Sequence, residues 1–223
     1  MNFFQFLKSL DDLLYEVVSW LLFYPLTLWR SMRRPIATMA YAEGELDNPI
    51  EDRFDALVSP PVQLLLTVLV AHGLELTLVG ESELLTNNHG LAALVSDDVS
   101  LMLFRVVAFA IFPLVLAAVT VRLRNQPVTR TTLMGPFFAQ CYACAPFALS
   151  ISVATTLTQV ASHTTVDSLV AAGIILVAVI VFVAVQTAWF RRIAGVGTGQ
   201  ALVSAIVGWA AAAAAVIAIG AMI

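Results

Sequence analysis

Apolar residues along this chain come in blocks of about twenty, separated by short polar stretches, rather than in stripes one helix face wide. Five such blocks run over residues 61–80, 100–121, 133–157, 168–190 and 201–223. A bilayer core about 30 Å thick is crossed by about twenty residues at 1.5 Å rise each, so the pattern predicts five transmembrane helices. The double proline Pro60-Pro61 suits the first turn of the first of them, where a missing N–H costs nothing.

The opening 30 residues follow a different pattern. Phe3, Leu7, Leu10, Leu14, Val17 and Leu21 recur every three or four positions, with Asn2, Gln5, Ser9, Asp12 and Glu16 on much of the opposite side. That is an amphipathic helix, and Phe3, Phe4 and Phe6 suit the headgroup–acyl boundary. From Val17 to Trp29 the charge disappears, but Pro25 interrupts a run that is short for a crossing. An interfacial or re-entrant element is expected; the alternative is a full span over residues 13–29. With Asp11, Asp12 and Glu16 and no A-x-A site nearby, the N-terminus does not read as a short signal peptide. The fold class is therefore an all-α integral membrane protein in three parts. Residues 1–30 form an amphipathic helical segment, 31–60 a cytoplasmic surface linker, and 61–223 a five-helix transmembrane domain.

Composition agrees with this reading. Hydrophobic residues make up 60% of the 223 and charged residues 12%, about half the ~25% charge of a soluble domain. The formal net charge of -4 carries no basic block, which excludes nucleic acid as a partner. Counting Lys and Arg through the successive non-membrane segments gives 5, 0, 3, 0, 2 and 0, with Arg105 inside a span. By the positive-inside rule the N-terminus is expected in the cytoplasm and the C-terminus in the periplasm.

A few polar groups fall within the blocks. Glu75 and Arg105 each lie ~7.5 Å from the same end of adjacent antiparallel spans, which predicts an ion pair between them. His72, one turn before Glu75, shares its face and Thr67 lies about a turn further in. The cluster is either a plain interhelical clamp or a titratable, ion-contacting site. In the third block, Gly135-Pro136 and Pro146 bracket Gln140, Cys141, Tyr142 and Cys144. A helix broken or kinked there would open carbonyls to a cavity, and Gln140 and Gln186 would bond each other or line a vestibule.

Cys141 and Cys144 read as core packing, because zinc wants four ligands and no second pair exists. GVGTG at 195–199 lacks the Lys-Ser/Thr ending of a phosphate loop. There is no HExxH, GxSxG or metal-spaced acidic and histidine cluster, so neither an enzyme nor a cofactor is expected.

Five closely spaced spans after a polar N-terminal region, a proline-containing entry at RRPIATM (33–39) and Gly135-Pro136 in the middle span resemble the Yip-type membrane domain. That family includes small bacterial members labelled permeases. Where its eukaryotic members carry an acidic–Leu–Tyr–Gly–Pro run, this chain has LMGP at 133–136. The expectation is a bacterial inner-membrane, permease- or channel-like protein that moves a small solute or ion. Five spans do not form two inverted halves, so it would act as a homo-oligomer, with the Ala/Gly-rich last block, including Gly208 and Gly220, as candidate interface. A non-transporting scaffold, working with membrane lipids or an unidentified membrane partner, is the alternative.

Overall fold

The computed structural model describes residues 3–79, 98–160 and 165–222. Seven α-helices account for most of them: α1 (Phe3–Arg33), α2 (Pro35–Gly44), α3 (Pro60–Val79), α4 (Asp98–Leu123), α5 (Arg130–Val160), α6 (Thr165–Ala194) and α7 (Thr198–Met222). No strand occurs among the described residues. Five helices, α3 to α7, are long and apolar enough to cross a membrane. The chain is thus an all-helical protein whose five apolar helices mark it as a multi-pass membrane protein. His89 and His163 lie outside the described residues.

Helix α5 is the centre of the bundle and packs against α1, α2, α3, α4 and α6. Its small residues Ala139, Cys141, Ala143, Cys144, Ala145 and Ala148 are buried, which lets neighbouring backbones approach. α5 is one continuous helix through Pro136 and Pro146, so of the broken or kinked helix expected around Gly135, Pro136 and Pro146 the break does not occur. Each proline removes one backbone donor, while α1, α2, α3, α4 and α6 pack around α5 and support its continuation. Ser150 Oγ also donates to the Pro146 carbonyl at 2.9 Å.

The N-terminal segment is one continuous helix through Pro25, which excludes a re-entrant turn. Thr27 and Ser31 are buried on its bundle side, while Leu21, Leu22, Leu26 and Trp29 are exposed. Further back, Tyr15, Ser19, Trp20 and Phe23 share a cleft with residues 50–59. The side chains of residues 3–10, which carry part of the amphipathic pattern, lie outside the described residues.

Residues 31–60 are more ordered than a surface linker. Pro35 opens α2 at its first position, and Thr38, Met39 and Ala42 are buried. The apolar run IATMA gives this short helix a face to bury, and the acidic residues after it hid that in the composition. Beyond α2, Arg53 donates to the carbonyls of Asn48 and Leu46, at 2.9 and 2.8 Å. Phe54 sits at φ 63, costly for an aromatic residue. Its N–H donates to Glu45 at 2.9 Å and its ring stacks on Phe138 at 5.8 Å. Arg124 pairs with Glu43 at 2.7 Å, tying the end of α4 to the same layer. These contacts build a cap on the arginine-rich end of the bundle. Within it, burial and then the charge and hydrogen bond of Glu45 push the Tyr41 phenol up to about 12, against an opposing pull from Arg30.

Gly208 is not on a subunit surface. A Cβ there would meet Leu116 Cδ2 at 2.9 Å, so the glycine serves the close approach of α7 to α4 within one chain. A small-residue stripe reads the same in sequence whether its partner is internal or a second copy.

Candidate functional site

The buried face of α3 carries Gln63, Thr67, Ala71, His72 and Glu75. The series 63, 67, 71 and 75 steps by four, so one line along the helix holds an amide, a hydroxyl and a carboxylate over ~18 Å. Helices α1, α4 and α5 all pack on α3.

At the end away from the arginines, Arg105 on α4 forms the expected ion pair with Glu75 on α3. The same nitrogen, Nη1, lies 3.3 Å from Nδ1 of His72. An arginine can only donate, so this contact assigns the lone pair to Nδ1 and the ring proton of His72 to Nε2. His72 and Glu75 are buried, at 6% and 3% exposure, and Arg105 is partly covered. A neutral imidazole beside a neutralised carboxylate–guanidinium pair is a form that a low-dielectric setting tolerates.

Midway, Thr67 donates to the Gln63 carbonyl at 2.7 Å and receives the Tyr24 hydroxyl of α1 at 3.3 Å. At the arginine-rich end, the Gln63 side chain is fully buried, and neither its Oε1 nor its Nε2 has a hydrogen-bond partner. An orphaned buried amide is costly, by about 1–3 kcal/mol, and marks a place where water or a ligand completes the site. Sequence reasoning passed over Gln63, although its four-residue spacing to Thr67 was visible.

Just beyond α3, Thr27 Oγ1 accepts the Val58 N–H at 3.1 Å and Tyr142 donates to the Val58 carbonyl at 2.6 Å. Both backbone groups of a residue outside any helix are thereby satisfied inside the bundle.

Gln140 and Gln186 do not join the α3 line. They bond each other in both directions, at 2.8 and 2.6 Å, and tie α5 to α6. Cys141 and Cys144 are free thiols buried in the core. No group of three or more metal-ligating side chains occurs among the described residues.

No family model matches the chain, nor does any curated protein or solved structure. The resemblance to the Yip-type domain therefore rests on its sequence motifs alone.

Proposed function

We propose that the chain is a permease- or channel-like membrane protein, acting as a homo-oligomer, that moves a proton or another small cation along the polar face of α3. One observation carries this reading: the Gln63 amide is fully buried with both polar atoms unpartnered, in line with Thr67 and Glu75. A helix that only packs has no use for a fully buried, unsatisfied amide. The chemistry of the far end is suited to protons. Protonating His72 at Nδ1 removes the lone pair that meets Arg105, so proton arrival and release of the arginine are linked.

The scaffold reading is favoured by a different observation. Glu75 with Arg105, and Gln140 with Gln186, satisfy each other within one chain. In either reading the bacterial inner membrane is the setting, with the arginine-rich end in the cytoplasm. Helix α1 lies in the interface, consistent with the cleft that Tyr15 and Trp20 share with residues 50–59. Proteoliposomes loaded with a pH-sensitive dye separate the readings. Proton or potassium flux above empty vesicles, lost in Glu75→Gln with assembly intact, supports transport. Absence of both fluxes leaves the scaffold reading.

A further inference from the structure

A second feature lies apart from the α3 line, with no α3 residue in its lining. An open groove of about 530 Å³ runs between α5, α6 and the junction of α1 with α2. Its α6 wall extends from Val170 to Val185, ~22 Å along the helix, and includes Phe182. Its α5 wall runs from Ala143 to Ser150. The volume is that of a small-molecule site. Gly173 faces open space within it, since a Cβ there would meet nothing within 4 Å.

One end of the groove is polar. Ser31, Met32 and Pro35 line it, and Arg33 and Arg34 fall between them in the chain. Ser31 Oγ is buried, at 2% residue exposure, and has no hydrogen-bond partner. Arg33 and Arg34 are exposed, and neither forms an ion pair among the described residues. At the far end of α2, Glu43 and Leu46 meet Gly135, eight residues before Ala143. Pro35 therefore sits near the Ala143 end, and Arg33 and Arg34 adjoin the lining residues Met32 and Pro35 in the chain without lining the slot themselves. Among the described residues no acidic side chain lines it.

We infer that this groove is a binding site for one anionic phospholipid, with an acyl chain along α6, the ester region at Ser31 and the phosphate at Arg33 and Arg34. An apolar slot with an orphaned hydroxyl at one end, next in the chain to two exposed arginines that form no ion pair among the described residues, one of them over the Trp29 ring at 5.6 Å, matches the order of groups along such a lipid. The site requires only that the chain be a membrane protein and is independent of the transport reading.

The test is native mass spectrometry of the full chain released from micelles containing equimolar phosphatidylglycerol and phosphatidylcholine. Wild type is expected to retain one phosphatidylglycerol per chain. Arg33→Gln with Arg34→Gln is expected to lower the preference for phosphatidylglycerol by about five-fold per arginine. Gly173→Leu fills the slot with a better helix former and is expected to abolish retention while the chain still melts cooperatively. Photolabelling of wild type with an acyl-diazirine phosphatidylglycerol keeps the proposal testable if either variant fails to fold. Labels are expected within residues 143–150 and 170–185. Equal retention of both lipids, no retained lipid, labels elsewhere, or a second copy of the chain seated in the groove would each overturn it.

Discussion

Gln140 and Gln186 lock α5 to α6 through a two-way amide pair that is fully buried on both sides. In a membrane such pairs are worth on average about 0.6 kcal/mol, because alternative partners exist in the unfolded state. Losing one partner is a different matter, since the survivor stays buried with two unsatisfied groups. Gln140→Leu is expected to cost about 1–3 kcal/mol. The double change Gln140→Leu with Gln186→Leu is expected to cost less than either single one. Thermal melting of the four proteins in one detergent checks this; additive losses would contradict it.

The Glu75–Arg105 pair obeys the same asymmetry with larger magnitudes. Arg105→Gln strands a buried carboxylate and is expected to destabilise by about 3–5 kcal/mol. Adding Glu75→Gln to it should recover most of that loss. Equal melting temperatures for the single and double variants would show that the pair bears no coupling.

Gly208→Leu separates internal packing from assembly. Its first carbon already meets Leu116 at 2.9 Å, and Leu116 is completely buried. Overpacking of this kind costs about 1–3 kcal/mol. The expected result is a lower melting temperature with the oligomeric mass unchanged in the fraction that folds. A well-folded chain that merely dissociates would place Gly208 between subunits instead.

Tyr41 provides a pH-dependent test of the cap. Its phenol is held neutral up to about pH 12 by burial and by Glu45, against 10.0 for an unperturbed tyrosine. Above pH 10 the unfolded chain releases this proton while the folded chain keeps it. Stability is therefore intact below 10 and falls as pH rises from 10 toward about 12. Tyr41→Phe is expected to flatten part of that fall in denaturation curves taken across the same range; identical slopes would contradict it.

What the sequence made legible was whatever depends on long uniform runs. The five apolar helices fall within a few residues of the hydrophobic blocks, because burial in lipid imposes a length that any window detects. The Glu75–Arg105 pair was legible for a related reason: two charges at matching depth on adjacent antiparallel spans have few other partners. The rest depends on three-dimensional neighbours. Pro136 and Pro146 weaken a helix locally, but whether it breaks is decided by the helices around α5. Gly208 announces a close approach without naming the partner. The burial of α2 rests on Thr38, Met39 and Ala42, lost beside the acidic stretch that follows. Gln63 looked like an ordinary first-turn polar residue until the bundle enclosed it.

The polar face of α3 is the centre of this account, and aqueous access to it is directly measurable. With Cys141 and Cys144 replaced by alanine, Gln63→Cys and Thr67→Cys are each introduced singly into protein held in lipid vesicles. Leu65→Cys and Leu74→Cys, at positions with 39% and 43% exposure on the outer face of α3, serve as lipid-facing references. A small, water-soluble, charged thiol reagent is expected to modify positions 63 and 67 and to leave 65 and 74 unreacted. Modification of neither 63 nor 67 would contradict a hydrated path along α3.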